Sequence, residues 1–198
     1  MINRKFFFDQ ARTTLFGGNL SAKQVKGLTT ILDEWDINYS HHDDRWLAYM
    51  LGTTHHETGR TMQPIEEWGK GKGCPYASKL KMAKDRNKKN IPYTDTKEIF
   101  YGRGFVQLTW YENYAKAGKK LNQNFLQNAA GVMEISNATK ILFFGMTEGW
   151  FTGFKLSNFF NPTTEDWKNA RKIINGLDKR DLIKDYSLKY YAAISHTT

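Results

Sequence analysis

The sequence predicts a mainly α-helical globular protein, and three observations support this fold class. Hydrophobic residues make up 40% and aromatic residues 15% of the 198 residues, so the chain can build a sizeable core. Several segments place apolar residues three and four positions apart, the period of an amphipathic helix. Start and stop signals for helices bound most of these segments. At this length we expect a single domain, with room for two lobes.

Two helices are predicted before residue 40. Residues 6–16 form a short amphipathic segment that ends at Gly17-Gly18. Ser21 and Gln24 make a capping box for the next helix, and Leu20 with Val25 makes a hydrophobic staple. The predicted apolar face of this second helix consists of Val25, Leu28, Ile31, Leu32 and Trp35.

A third helix is predicted over residues 43–58, with a capping-box-like start at Ser40 and Asp43 and a stop at Gly59. Its stripe of Trp46, Met50 and Thr53 continues to Glu57, so that carboxylate should point inwards. Burial disfavours the charged form of a carboxylate and raises its pKa, as a general acid at neutral pH requires. In the alternative interpretation, Glu57 is a helix-end residue satisfied by Arg60 or by a backbone donor.

Two more glutamates follow this helix. Pro64 cannot extend it, so Ile65, Glu66 and Glu67 must turn away. A second carboxylate on a separate element can then face Glu57 across a gap. Because Glu66 and Glu67 are adjacent in a turning or extended segment, they should point to different sides.

Residues 69–90 form a basic segment in which Gly69, Gly71 and Gly73 alternate with lysines. We expect a mobile, exposed insertion here. The net charge of +9 favours anionic partners, either nucleic acid, acidic membranes or wall polymers. The aromatic residues that stack bases are not interleaved with these lysines, so a solvated basic face is favoured over a nucleic-acid interface.

The segment YGRGFVQLTWYENY, residues 101–114, alternates apolar and polar residues. If it is extended, Gln107 and Thr109 share one face and can bind a sugar or a water, although a half-buried strand with a polar outer face has the same pattern. Three further helices are predicted over residues 111–121, over residues 135–150, and from Thr164 to Asn175-Gly176. The last helix begins at Asp181, and its predicted inward residues are Leu182, Ile183, Tyr186, Tyr190 and Ile194.

The cysteine and histidine content limits other chemistries. Cys74 is the one cysteine, which excludes an internal disulfide and fits folding in a reducing cytoplasm. The histidines near Glu57 could suggest a zinc amidase, but neighbouring pairs point to different helix faces and no HExxH motif is present. We therefore expect no metal and no cofactor. Residues 1–10 lack the long apolar core of a signal peptide, so we expect the protein to accumulate in the cytoplasm.

An ordered set of motifs carries a family resemblance. These are His56-Glu57-Thr58, Tyr101-Gly102-Arg103-Gly104, Gln107-Leu108-Thr109, Asn113-Tyr114 and Ile173-Ile174-Asn175-Gly176. The set resembles the family 19 glycoside hydrolases, the chitinase and endolysin branch of the lysozyme superfamily. Met62-Gln63-Pro64-Ile65-Glu66, and the residues from Glu148 to Gly153, look like the phage and bacterial endolysins of this family. The resemblance implies a mainly α, lysozyme-like, two-lobed fold with a central substrate cleft, built as a single catalytic domain over residues 1–198.

The resemblance also implies roles for particular residues. Glu57 matches the general acid, Glu66 the general base with Glu67 as a rival, and Thr109 the residue that holds the attacking water. The matching substrate-binding positions are Gln107, Asn113, Tyr101 and Asn175. An inverting enzyme needs its two carboxylates about 6.5–9.5 Å apart. The chitinases carry an arginine after the Asn-Gly motif, and here that position is near Lys184.

The predicted function is therefore a monomeric peptidoglycan hydrolase of endolysin type that cuts the β-1,4 bond between amino sugars with inversion. Its partners are the glycan strands and, through its basic charge, the anionic envelope; no nucleic acid is expected. A chitinase acting on chitin oligomers and a non-catalytic glycan-binding protein are the alternatives. Acting on the wall would require a separate export route.

Overall fold

The computed structural model describes residues 2–83 and 89–195, and within that part of the chain the protein is mainly α-helical, as predicted. It contains six α-helices there: α1 (Arg4–Leu15), α2 (Ala22–Asn38), α3 (Asp44–Glu57), α4 (Tyr111–Leu121), α5 (Ile135–Glu148) and α6 (Arg180–Ile194). Six two-residue strands form three antiparallel pairs: β1 (Ile65–Glu66) with β4 (Arg103–Gly104), β2 (Leu80–Lys81) with β3 (Ile91–Pro92), and β5 (Phe160–Asn161) with β6 (Thr164–Glu165). None of the described helices is long and apolar enough to span a membrane.

The chain divides into two compact units. The first unit comprises Met1–Gln63 and Leu142–Thr198, and the second comprises Pro64–Ile141. The prediction of one catalytic domain stays a prediction.

The core of the first unit is built around α3, which packs most extensively against α6. Residues 47–55 of α3 are buried on every side of the helix, so its neighbours surround it. Gly52 permits the close approach of the two helices, because a Cβ there would lie 2.2 Å from the Ser187 Oγ and 2.9 Å from its backbone nitrogen. Glu57, the last residue of α3, therefore projects from a helix that is firmly held.

The second unit has its core beneath the β1–β4 pair, where Glu66 lies opposite Arg103. The buried side chains of this core include Phe100, Phe105, Leu108, Tyr114 and Val132. The described part of the basic segment contains two short 3-10 helices, Trp68–Gly71 and Pro75–Ala77, and the strand β2. Its predicted mobility stays a prediction, and Lys84 and Lys88 lie outside the described residues.

Several local predictions are confirmed. Ser21 and Gln24 form the capping box of α2. The helix predicted over residues 111–121 is α4, and α5 falls within the predicted 135–150. Leu28, Ile31, Leu32 and Trp35 of the predicted α2 face are buried, whereas Val25 is partly exposed.

Four local predictions are wrong. The helix expected from Thr164 to Asn175 is instead β6 followed by a 3-10 helix, Asn169–Ile173, because Thr164 and Glu165 pair with β5 across a turn at Pro162. Residues 105–107 form a turn and not an extended strand, since Leu108 folds back to bond Arg103. The side chain of Asp43, and not Ser40, caps α3 by accepting from the Arg45 backbone N–H. Leu182 faces outwards on α6.

Candidate active site

Glu57 closes α3 in the first unit, and its carboxylate is paired with an arginine. Thr58 is the C-cap, and Gly59 takes a left-handed φ of 55° that ends the helix. The Arg171 Nη1 donates to Glu57 Oε1 at 2.6 Å, and the Glu57 side chain is only 15% exposed. The expected inward direction is therefore correct. The carboxylate pairs with the guanidinium of Arg171, and not with Arg60 as in the alternative interpretation.

Arg171 itself is fixed from a second side. It lies on the 3-10 helix Asn169–Ile173, is almost fully buried, and donates from Nε to the Asp178 carbonyl at 3.2 Å. A buried charge is tolerated when it is paired and hydrogen-bonded, so these two contacts explain its position. Sequence reasoning gave this residue no role, because the supporting arginine that the resemblance implies, near Lys184, belongs to the second carboxylate and not to Glu57. Asn175 is exposed, and its side-chain oxygen accepts from the Gly176 N–H at 2.8 Å.

Glu66 lies in the second unit at the end of β1, held by two donors. The Tyr101 hydroxyl donates to its Oε1 at 2.6 Å, and the Arg103 Nε donates to the same oxygen at 3.2 Å. The Tyr101 hydrogen bond, followed by the bond and charge of Arg103, lowers the pKa of Glu66 below its usual value although burial opposes this. Glu66 is thus ionised at neutral pH, and its side chain is 40% exposed.

Arg103 is positioned as tightly as Arg171. Its Nη1 donates to the Ile99 carbonyl at 2.9 Å and to the Tyr114 hydroxyl at 3.0 Å. Its guanidinium also stacks 3.6 Å from the centroid of the Tyr101 ring. A planar guanidinium can use its face and its edge at once, which a lysine could not do. Arg103 belongs to one of the motifs that carry the family resemblance, but its partner Glu66 could not be predicted from the motif.

Glu67 points away from Glu66, as predicted for neighbours in an extended segment. Its Oε1 accepts from the Tyr76 hydroxyl at 2.7 Å, and its Oε2 accepts from the Gly102 N–H at 3.0 Å. The Glu67 backbone N–H also donates to the Gly102 carbonyl at 2.7 Å. Both oxygens of Glu67 are therefore used in structural hydrogen bonds, one to Tyr76 and one to Gly102, which favours Glu66 over Glu67 as a reacting group.

The remaining predicted residues of the second unit flank β4. Gln107 has a left-handed φ of 53° in the turn, and its Nε2 donates to the Ile65 carbonyl at 3.2 Å, so its amide fastens the turn to β1. Thr109 follows the bridged Leu108, and Asn113 is in the first turn of α4; both are half-buried. Tyr101 is buried, with its hydroxyl on Glu66. The predicted contacts of these residues with substrate stay predictions.

The histidines near Glu57 are not arranged as a metal site. His55 is fully buried, its Nδ1 lies 3.0 Å from the Tyr190 hydroxyl, and burial lowers its pKa to about 4. Across residues 2–83 and 89–195, no three His, Cys, Asp or Glu side chains come together in a way that could hold a metal ion.

Comparison with known proteins adds a family and a fold. The family described as chitinase class I, glycoside hydrolase family 19, matches residues 22–158. Chitinase C from Streptomyces griseus HUT6037 has a similar structure, with a TM-score of 0.60 and 21% identity over 100% of this chain and 78% of that chain. A class IV chitinase of family 19 from Zea mays gives a TM-score of 0.55 and 21% identity over 94% of this chain and 87% of that chain. No curated protein matches the sequence. At these identities the structural similarity is evidence for the fold alone.

Proposed function

Because this chain belongs to the family 19 glycoside hydrolases, we propose that it cleaves the β-1,4 bond between amino sugars of cell-wall peptidoglycan, with inversion at the anomeric carbon. The proposal rests on two carboxylates, Glu57 in the first unit and Glu66 in the second, each bonded to its own buried arginine. Glycoside hydrolysis commonly needs two carboxyl groups with different roles, and the two glutamates have different environments.

In the proposed reaction, Glu57 gives its proton to the leaving glycosidic oxygen as the bond from that oxygen to the anomeric carbon breaks. Glu66 takes a proton from a water whose oxygen bonds to the anomeric carbon from the opposite face. The lowered pKa of Glu66 supports its part, because a base must be ionised before it can accept a proton. Proton exchange with solvent then restores both groups. We assign Thr109 to holding this water, on the basis of its match to the family motif.

Two features support peptidoglycan as the substrate. The net charge of +9 favours an anionic polymer, and chitin is neutral. The residues from Met62 to Glu66 resemble the endolysin branch of the family. Chitin remains the second candidate substrate, because the structurally similar proteins are named chitinases.

The test compares clearing of purified sacculi with cleavage of chitin hexasaccharide by the wild type and by Glu57→Gln. Glu57→Gln should fold normally and lose nearly all activity, because a neutral amide cannot give up a proton to the leaving oxygen. Proton NMR of the first products should show the inverted anomer. Near wild-type clearing by Glu57→Gln would contradict the mechanism and favour a glycan-binding protein. A retained anomer would mean that the role of general base is wrong for Glu66.

A further inference from the structure

A short segment of the second unit presents an aromatic and a cationic side chain next to Glu66. Trp68, two residues after Glu66, is 99% exposed. The Lys70 side chain is 68% exposed, and its Nζ lies 4.0 Å from Glu66 Oε2 and 5.9 Å from the centroid of the Tyr101 ring. The mechanism proposed above uses neither side chain.

Hydrogen bonds and a close glycine contact define the backbone of this segment. The Lys70 N–H donates to the Glu67 carbonyl at 3.0 Å, and the Cys74 N–H donates to the Gly71 carbonyl at 2.8 Å. Gly71 is buried with a φ of 70°, and a Cβ there would lie 2.6 Å from the Tyr76 ring, so the turn is fastened to the body of the unit. Lys70 itself adopts a left-handed φ of 50°, which costs free energy for a residue with a side chain. The turn therefore presents the Trp68 side chain to solvent.

Full exposure of a tryptophan leaves a large apolar surface in water, where it gains nothing from burial. The C–H groups on one face of a pyranose ring form an apolar surface of matching size. Stacking such a ring on Trp68 would remove both surfaces from water. A rigid aromatic loses little side-chain entropy on binding, so it is well suited to this contact.

The neighbouring cation selects among glycans. A lysine ammonium beside the binding surface attracts a carboxylate, and a neutral chitin chain offers none. One amino sugar of peptidoglycan carries a lactyl group, whose carboxylate is free wherever the stem peptide has been removed. We propose that Trp68 and Lys70 form a subsite for a carboxylate-bearing amino sugar, in which Trp68 stacks on the ring and Lys70 pairs with the carboxylate. This inference rests on the proposed function and adds the residues that recognise strands whose stem peptides have been removed.

The experiment uses soluble glycan chains prepared from sacculi by removing the stem peptides, which leaves the lactyl carboxylates free. A second batch has those carboxylates reduced to alcohols, so that the two substrates differ only in charge. Lys70→Gln should raise KM about two- to fivefold on the acidic glycan and much less on the reduced one, the usual range for one solvated ion pair. Trp68→Ala should raise KM on both substrates. Lys72→Gln is the control, because it removes the same charge from an exposed position two residues away. It should not change the preference for the acidic glycan over the reduced one.

Three outcomes would contradict the proposed subsite, and they can be told apart. If Lys70→Gln shifts the pH profile equally on both substrates, Lys70 acts through Glu66 and the subsite is wrong. If Lys72→Gln lowers the preference for the acidic glycan as much as Lys70→Gln does, general charge attraction explains that preference and the proposed subsite is wrong. If the wild type cleaves chitin oligomers but neither peptidoglycan-derived glycan, the proposed function fails and the subsite fails with it.

Discussion

At the residue scale, the directions of the two proposed catalytic carboxylates are set by their arginines. Arg171 donates to the Asp178 carbonyl and Arg103 donates to the Ile99 carbonyl. These second hydrogen bonds hold each guanidinium in position beside its carboxylate. Pre-positioned charges of this kind need little reorganisation during a reaction. Each glutamate thus has one oxygen fixed before substrate arrives.

Removing the Tyr101 hydroxyl should change the pH dependence of activity. The hydrogen bond from Tyr101 is the largest cause of the lowered pKa of Glu66, so Tyr101→Phe should raise that pKa. Since the base must be ionised, the acidic limb of the kcat/KM profile should move to higher pH. An increased KM with an unmoved acidic limb would mean that Tyr101 serves substrate binding, as the family resemblance implies, and does not tune Glu66.

The choice of base can be tested by neutralising each glutamate in turn. Glu66→Gln should lower kcat by about 10²–10⁴-fold, the usual loss when base activation of water is removed. Glu67→Gln should cost far less activity, because Glu67 holds the Tyr76 hydroxyl and the Gly102 N–H. Kinetics on a soluble glycan and melting temperatures of both variants are the measurements. If Glu67→Gln is inactive but has the melting temperature of the wild type, Glu67 and not Glu66 is the general base.

At the element scale, the packing of α3 on α6 buries a histidine and makes stability depend on pH. Burial, followed by the charge of Arg60, lowers the pKa of His55 to about 4 from its ordinary 6.5. The unfolded chain therefore binds a proton that the folded chain does not between these values. Stability should be fully present above pH 6.5 and should fall as pH drops towards 4.

The check is urea unfolding of the wild type and His55→Gln between pH 4.5 and 7. The variant also loses the contact with Tyr190, so it should be less stable than the wild type at pH 7. The informative quantity is the slope of the unfolding free energy with pH, which should be shallower in His55→Gln. Equal slopes would show that other groups govern the acid sensitivity.

Helices could be predicted from the sequence because periodicity and caps are local signals. The Ser21–Gln24 capping box and the bounds of α4 needed no knowledge of tertiary structure. The two arginine partners could not be found in this way, since Arg171 lies 114 residues from Glu57 and Arg103 lies 37 residues from Glu66. The failed helix at Thr164 has the same cause, because pairing with β5 overrides the local preference.

At the scale of the whole molecule, the charge of +9 predicts that wall binding depends on salt. Binding to sacculi should weaken as ionic strength rises, whereas cleavage of a neutral oligosaccharide should change little. Lys81, Lys84, Lys88 and Lys89 are the lysines of the basic segment to replace with Gln. Lys81 already lies 3.9 Å from Asp95 and 4.0 Å over the Tyr111 ring, so its charge is partly used within the protein.

A matched control replaces four exposed lysines of the first unit, namely Lys23, Lys26, Lys155 and Lys189. The two quadruple variants have the same net charge. Weaker low-salt binding only in the first would assign the effect to the basic segment. Equal weakening in both would mean that total charge, and not this segment, attracts the wall.

Mass spectrometry of the fragments released from purified sacculi tests the central claim most directly. If the protein hydrolyses the glycan strand, the soluble products will be muropeptides whose new reducing ends are amino sugars and whose stem peptides remain attached. Glu57→Gln and Glu66→Gln should release none of them. Fragments with an intact glycan strand and cleaved peptide or amide bonds, or no soluble fragments alongside ready cleavage of chitin oligomers, would contradict the account.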